Sequence, residues 1–195
     1  MRALTAGSPP SVRRLKIQLR GVKPAVWRRL EIASDTKLPI VSRALIEAMG
    51  WTDTHLHAFR VGRETYGVPD HEFPNNDRDE RRFTLAQLAP SSGERFTFDY
   101  DFGDGWEHDV VIEAIDAPVA HMIYPRCVAG KRACPPEDCG GPMGYANFLE
   151  ALADPGHDEH KALFEWAGPF DPEAFDIRQV NERLAALSKR RSRLR

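Results

Sequence analysis

The stretch FTFDYDFGDGWEHDVVIEAI, residues 96–115, decides the fold because apolar and polar residues alternate on both sides of a glycine-rich turn. Alternation with a period of two is typical of a half-buried strand. Gly103, Asp104 and Gly105 interrupt this alternation and favour a turn. The stretch therefore predicts a β-hairpin stabilised by cross-strand packing. The residues predicted to share its apolar face are Phe96, Phe98, Tyr100, Phe102, Trp106, His108, Val110 and Ile112.

Two strands and a helix are predicted before the hairpin. The strands are indicated by alternating apolar residues, which are Leu15, Ile17 and Leu19 in the first and Val26, Leu30 and Ile32 in the second. We expect these strands to pair antiparallel. From Leu38 the apolar spacing becomes helical, with Pro39 tolerated in the first turn and Gly50 at the C-terminal end. This helix should pack on the sheet.

The second half of the chain is predicted to be mostly helical. Helical spacing of apolar residues occurs over residues 145–153, 157–166 and 177–187. Asp176 precedes the last of these, and Gln179 follows three residues later, which is the arrangement of a capping box. A short helical turn is also predicted over residues 84–88, after a long exposed loop over residues 67–82.

These elements predict a single α+β domain. Residues 13–115 should form a mixed or mainly antiparallel sheet with one packed helix. Residues 116–187 should form a Cys/Pro/Gly-rich loop followed by helices, with the loop covering residues 124–141. Residues 1–12 are predicted to be a flexible leader and residues 188–195 a basic tail.

The composition is that of a globular protein. Hydrophobic residues make up 42% of the chain and charged residues 29%, which excludes wholesale disorder. The formal net charge of -2 provides no overall field that would attract nucleic acid. No apolar run approaches the roughly 18 residues that cross a bilayer, and the start lacks a signal peptide's apolar stretch. We therefore expect a cytoplasmic protein with no membrane partner.

A first candidate site lies where a histidine-containing segment meets the hairpin turn. His55 and His57 are two residues apart, so their side chains would point the same way on a strand. His108 on a neighbouring strand could then complete three imidazole ligands for Zn²⁺, leaving an open coordination position. The predicted pocket consists of His55, His57, Asp101, Asp104, Trp106 and His108.

Two interpretations of this pocket remain open. A metal-bound water would be acidified towards neutrality and could attack a substrate, with a nearby aspartate as base. Alternatively, the histidines hydrogen-bond to Asp101 or Asp104, which would satisfy buried polar groups without a metal. A calcium loop is excluded because Gly103 occupies the position of that loop's third ligand. The turn aspartates are therefore expected to accept hydrogen bonds from backbone amides.

The three cysteines define a second candidate site. An odd number of cysteines in one short segment fits reduced thiols or metal ligands better than a disulfide framework. A closed structural zinc site would explain how this Pro/Gly-rich segment becomes ordered. In the alternative, the thiols fill gaps between the loop and the helices. The candidate ligands are Cys127, Cys134, Cys139, His157 and His160.

Two adjacent carboxylates, Glu137 and Asp138, lie on a stiff turn between Pro136 and Gly140. They could bind a cation or a basic partner. The alternative is that they favour the start of the following helix through its macrodipole.

Several motifs occur together in this chain. They are Gly50-Trp51, His55-Leu56-His57-Ala58-Phe59, Tyr100-Asp101-Phe102-Gly103-Asp104 with Trp106 and His108, Cys134-Pro135-Pro136-Glu137-Asp138, and Gly140-Gly141 with Gly144-Tyr145. In combination they resemble the plasmid pRiA4b ORF-3-like family, from residue 13 to the final helix. The resemblance implies an α+β fold and an association with bacteria and their mobile elements. The family has no established activity that the resemblance could imply for this chain.

The expected function is that of a small intracellular accessory or ligand-binding protein whose pocket lies between the histidine segment and the hairpin turn. The first alternative is a metal-dependent hydrolase that uses His55, His57 and His108. The second is a DNA-binding accessory protein that uses its basic tail. Some members of the family carry a resolvase label, but no serine here has the arginine-supported setting of a recombinase nucleophile.

Overall fold

One eight-stranded sheet forms the centre of the fold in residues 9–69 and 77–192, which are the residues that the computed structural model describes. Its strand order is β5-β4-β3-β6-β7-β1-β2-β8. All neighbouring strands pair antiparallel except β4 and β5, so the sheet is mixed. The strands are β1 (Val12–Leu19), β2 (Trp27–Ala33), β3 (His57–Val61), β4 (Glu64–Gly67), β5 (Arg78–Asp79), β6 (Arg95–Tyr100), β7 (Trp106–Asp116) and β8 (Arg126–Lys131).

The helices begin and end close to the positions that the sequence predicts. They are α1 (Leu38–Met49), α2 (Leu85–Leu88), α3 (Gly141–Ala153), α4 (His160–Ala167) and α5 (Ile177–Ser192), with a 3₁₀ helix at Glu80–Arg82. Gly50 ends α1 with a left-handed φ of 118°, a conformation that glycine adopts without strain. Asp176 Oδ1 accepts hydrogen bonds from the backbone N–H groups of Arg178 and Gln179, which confirms the predicted cap of α5.

The predicted hairpin is confirmed, with one correction. Tyr100 pairs with Trp106 and Phe98 with His108 across β6 and β7, and these side chains are buried. Phe102 does not share their face, because 59% of its surface is exposed. Asp101 adopts a left-handed φ of 55°, which ends the strand alternation one residue before Phe102.

The sheet extends beyond the predicted limit of residue 115. β8 belongs to the segment that was expected to be irregular, and it pairs antiparallel with β2 at one edge of the sheet. Gly130 allows this close packing, since a Cβ there would lie 2.5 Å from Cζ of Phe175.

The core lies between one face of the sheet and the helices. Leu45 of α1 and Leu184 of α5 are fully buried with Leu15 and Ile32 of the sheet. The opposite face carries charged residues in pairs, such as Arg29 with Glu113. This division follows from the period-two alternation of the strands.

The two predicted flexible ends lie partly outside the described residues. Residues 1–8 and 193–195 are not described, whereas β1 already includes Val12. The backbone of α5 continues to Ser192, so the first part of the predicted tail is helical. Binding of DNA by this tail stays a prediction.

The predicted exposed loop over residues 67–82 needs a similar correction. Residues 70–76 lie outside the described part, but β5 and the 3₁₀ helix follow them. Glu80 in that helix is only 2% exposed. None of the helices in the described ranges combines the length and the apolarity of a membrane span.

Candidate functional site

Three segments meet at the turn between β6 and β7. The turn itself is joined by the loop of residues 50–56, which follows α1, and by residues 133–140, which precede α3. Hydrogen bonds fix this meeting point. They run from Asp101 N to Leu56 O (2.9 Å), from Gly140 N to Asp104 Oδ2 (3.1 Å) and from Trp51 Nε1 to Pro135 O (3.0 Å).

At this junction His55 lies between two aspartates. Its Nδ1 is 3.7 Å from Asp101 Oδ2, and its Nε2 is 3.3 Å from Asp138 Oδ1. One potential ligand atom from each residue lies within 4.8 Å of those from the other two. In the described part of the chain, this is the one place where three or more His, Cys, Asp or Glu side chains converge so closely.

Asp101 is held rigidly by its own turn. Its Oδ1 accepts hydrogen bonds from the backbone N–H groups of Gly103 (3.0 Å) and Asp104 (3.3 Å), as the sequence predicts for a turn aspartate. Its side chain is only 10% exposed. No hydrogen-bond donor among the described residues contacts Oδ2, so this oxygen is available on the side that faces His55.

Tyr100, Thr52 and Glu137 form a hydrogen-bonded group beside the His55 cluster. The Tyr100 hydroxyl donates to Glu137 Oε1 at 2.6 Å, and the Thr52 hydroxyl donates to Oε2 at 2.5 Å. Burial and the hydrogen bond to Glu137 raise the pKa of Tyr100 to about 12, so the hydroxyl remains a donor at neutral pH. Burial acts to raise the pKa of Glu137, but hydrogen bonds from Thr52 and Tyr100 outweigh it and hold that pKa below its ordinary value.

The acidic residues of the junction have no basic partners among the described side chains. No Lys or Arg nitrogen in residues 9–69 and 77–187 lies within 4.0 Å of a carboxylate of Asp101, Asp104, Glu137 or Asp138. Elsewhere on the same hairpin, Arg60 bridges Asp99 and Glu107 at 2.8 Å from each. The junction therefore concentrates negative charge around one imidazole.

The predicted trio of histidines does not converge, which corrects the expectation of a three-imidazole site. β3 begins at His57, so His55 lies in the preceding loop and points elsewhere. His57 Nε2 hydrogen-bonds Glu80 Oε2 at 3.0 Å. His108 is fully buried, and its Nδ1 lies 2.9 Å from the carbonyl oxygen of Phe98.

Asp104 and Trp106 occupy structural positions beside the junction. Asp104 accepts the N–H of Gly140, the N-cap residue of α3. Trp106 is 1% exposed and packs near Trp51, with the two rings tilted by 35° and 5.8 Å between their centroids. A shallow cavity of about 200 Å³ lies against Asp101, Phe102 and Trp106.

The predicted cysteine and histidine ligands do not form a cluster either. Cys134 and Cys139 are partly buried against the core, and Cys127 pairs through its backbone with Asn181. His160 Nδ1 contacts the carbonyl oxygen of Ala151, while His157 Nδ1 accepts the N–H of Glu159. This geometry corresponds to the alternative in which the thiols fill gaps beside the core.

Sequence reasoning missed which residues Glu137, Asp138 and Tyr100 contact. It left two interpretations of the acids open, binding of a cation or basic partner and stabilisation of the start of α3. In the structure they face Tyr100 and His55, and Asp104 bonds the N-cap residue of α3 instead. The sequence feature that could have indicated a site here is the adjacent pair of carboxylates on a Pro/Gly-rich turn. The contact between residues 137–138 and residues 52–55 cannot be recognised from the sequence alone.

The comparisons with known proteins give the family. The model for plasmid pRiA4b ORF-3-like protein matches residues 11–179. This chain belongs to that family. An uncharacterized protein of Sinorhizobium fredii, y4hQ, is 39% identical over 186 residues, which is 94% of this chain and 95% of the relative.

A solved structure has a fold similar to that of this member of the plasmid pRiA4b ORF-3-like family. Protein MM3350 of Methanosarcina mazei Go1, whose function is unknown, has a TM-score of 0.74 and 32% identity, over 88% of this chain and 98% of its own. The family match includes all three residues of the His55 cluster. These relatives support the α+β fold, and neither has an assigned function.

Proposed function

We propose that the protein is a ligand-binding accessory protein of the cytoplasm that binds a divalent first-row cation through His55, Asp101 and Asp138. Three side chains support this proposal: the buried carboxylate of Asp101, the exposed carboxylate of Asp138 and the imidazole of His55, with ligand atoms within 4.8 Å of one another. Zn²⁺ and Mn²⁺ fit a set of one nitrogen and two oxygen donors.

The observation that carries the proposal is the unbalanced charge. Asp101 and Asp138 both approach His55, and no Lys or Arg nitrogen in residues 9–69 and 77–187 lies within 4.0 Å of either carboxylate. A divalent cation bound here would neutralise the charges of the two aspartates. The Oδ1 hydrogen bonds of Asp101 leave Oδ2 free to act as a ligand.

Three protein ligands leave coordination positions for a further molecule. Asp138 is 71% exposed, so this side of the cluster opens to solvent. An anionic or polar small ligand could therefore bind to the ion directly. Tyr100 and Glu137 adjoin the cluster as fixed polar groups.

The first test is titration of chelator-treated protein with Zn²⁺ and Mn²⁺ by calorimetry. We expect saturable binding of one ion, and a gain of about 2.7 kcal/mol in the free energy of unfolding at 100 times Kd. Asp101→Asn should weaken binding about tenfold or more. Asparagine keeps an oxygen acceptor for the turn amides, so the fold should be retained.

Asp109→Asn is the matched control. It makes the same chemical change on the same hairpin, but Asp109 pairs with Arg20. Its metal affinity should equal that of the wild type. If no ion binds, or if Asp101→Asn binds as tightly as the wild type, the cation proposal is wrong.

A metal-dependent hydrolase is the second candidate. It is favoured by the open positions of a three-ligand set, because water bound there would become more acidic. Glu137 is a carboxylate near His55 that could accept a proton from this water. Its test is metal-dependent turnover of ester or phosphoester substrates that is lost in both Asp101→Asn and Glu137→Gln.

A further inference from the structure

A second cavity lies between the end of α1, residues 133–137 and the start of α5, and it shares Trp51 and Glu137 with the junction beside the His55 cluster. Its volume is about 550 Å³, which is in the range of small-molecule sites. Phe170, Phe175 and Trp51 form much of its apolar wall. Two arginines, Arg28 and Arg183, also line it.

Arg28 is the unusual residue of this cavity. It is 3% exposed, and its guanidinium donates only to backbone carbonyls: Nε to Ala48 O at 2.9 Å, and Nη1 to Trp27 O and Lys131 O. No carboxylate oxygen in the described chain lies within 4.0 Å of it, and Nη2 makes no hydrogen bond to the described residues. A buried charge is normally paired.

The fixed groups around Arg28 balance its charge only in part. Ala48 belongs to the last turn of α1, where the helix dipole contributes about half a negative charge. Phe175 lies under the guanidinium, with 4.6 Å from its ring centroid to Cζ of Arg28. Burial lowers the pKa of Arg28, and the neighbouring charge of Arg183 lowers it further.

The other polar groups at the cavity do not supply the missing anion. Burial raises the pKa of Cys134 far above neutrality, so its thiol carries no charge. Asp176 caps α5 through Oδ1, and Glu137 accepts from Thr52 and Tyr100. Arg183 donates from Nε to Glu47 O at 3.1 Å, with Glu47 Oε2 at 4.0 Å.

We propose that this cavity binds a small carboxylate with an apolar body. The carboxylate lies against Arg28 Nη2 and the guanidinium of Arg183, and the apolar body packs on Phe170 and Phe175. Guanidinium groups bind carboxylates through charge-assisted hydrogen bonds that are stronger than neutral ones. None of the three proposed cation ligands lines this cavity, so the carboxylate proposal does not rest on the cation proposal.

The test uses benzoate as the probe and benzamide as its uncharged isostere, each titrated into the full-length protein by calorimetry. We expect benzoate to bind with a Kd of about 1 mM or tighter and benzamide to bind at least about tenfold more weakly. Arg183→Gln should weaken benzoate about tenfold or more. Arg183 is chosen because substitution of Arg28 would leave three buried carbonyls without their donor.

A filling substitution gives a second, independent test. Ala174 is exposed and lines the cavity, so Ala174→Trp should occupy the space without disturbing the core and should abolish benzoate binding. Ala162→Trp, at an exposed position of α4 outside the cavity, should bind benzoate as the wild type does.

Four results would overturn the proposal. These are equal affinities for benzoate and benzamide, unchanged benzoate binding in Ala174→Trp, no benzoate binding at all, and binding of phenyl phosphate without benzoate. The last result would assign the cavity to phosphate esters and not to carboxylates.

Discussion

His108 illustrates at the residue scale how burial alone changes a side chain. The ring is fully buried, and its Nδ1–H donates to the carbonyl oxygen of Phe98. Its Nε2 has no partner among the described residues. Burial lowers the pKa of His108 to about 4, because an imidazolium in this apolar environment would lose its hydration.

This pKa predicts a dependence of stability on pH. In the unfolded chain the imidazole has a pKa of about 6.5, so between pH 6.5 and 4 the unfolded state binds more protons than the native state. The free energy of unfolding should therefore decrease as the pH falls through this window, by about 3 kcal/mol from His108. Urea unfolding at pH 7 and at pH 4 measures the change.

His108→Gln is the comparison for this prediction. Glutamine retains a donor for the Phe98 carbonyl but does not titrate. The variant should show a smaller loss of stability over the same pH interval, whatever its stability at pH 7. An identical loss in both proteins would mean that other groups cause the pH dependence.

The candidate site was only partly predictable from individual residues. Asp101 and its turn follow from local sequence, because glycine and aspartate determine turn geometry within a few positions. The prediction that the side chains of His55 and His57 point the same way was wrong. The period-two rule applies only inside a strand, and β3 begins at His57. Asp138 reaches His55 through a contact between segments 83 positions apart, which no local pattern indicates.

At the element scale, the start of α3 and the hairpin turn fit together through a glycine. Gly141 has a left-handed φ of 68°, and a Cβ at this position would lie 2.2 Å from the carbonyl oxygen of Asp104. Asp104 in turn accepts the N–H of Gly140. The turn that carries the candidate site is therefore packed directly against the N-terminus of α3.

We predict that Gly141→Ala destabilises the protein by about 2 kcal/mol or more, through backbone strain together with this steric clash. Gly105→Ala is the matched control, because its φ is also 68° but nothing lies within 4 Å of the added Cβ. It should cost about 1 kcal/mol, from the left-handed conformation alone. Thermal and urea unfolding distinguish the two, and equal losses would show that the contact with Asp104 does not matter.

The elements differ in how far the sequence determines them. The hairpin was predictable because its strands are adjacent in sequence and strongly alternating. β8 was not, because its segment RCVAGK contains little alternation, and it pairs with β2 about 100 positions earlier. Only the sheet edge provided by β2 makes this short, partly polar segment a strand.

At the scale of the whole molecule, α5 joins the C-terminal helices to the sheet. Val180, Leu184 and Leu187 are buried in the same core as α1. Asn181 adds hydrogen bonds to both backbone groups of Cys127 on β8. The helical half and the sheet half are therefore expected to unfold together.

Leu184→Ala tests this single cooperative unit. Leu184 is fully buried, so its truncation should reduce the free energy of unfolding by about 2 to 5 kcal/mol. Leu56→Ala is the control, because Leu56 is 64% exposed and should change stability by less than about 0.5 kcal/mol. Urea unfolding should be followed by far-UV circular dichroism, which reports the helices, and by the fluorescence of buried tryptophans such as Trp51 and Trp106 on the sheet side.

In Leu184→Ala both signals should shift together to lower urea, because α5 and the sheet share one core. A shift of the dichroism signal with unchanged tryptophan fluorescence would instead show that the helices unfold as a separate unit. In that case the cavity between α1 and α5 would open before the sheet unfolds, while the His55 cluster, which depends on the β6–β7 turn and on residues 133–141, would be lost only in part.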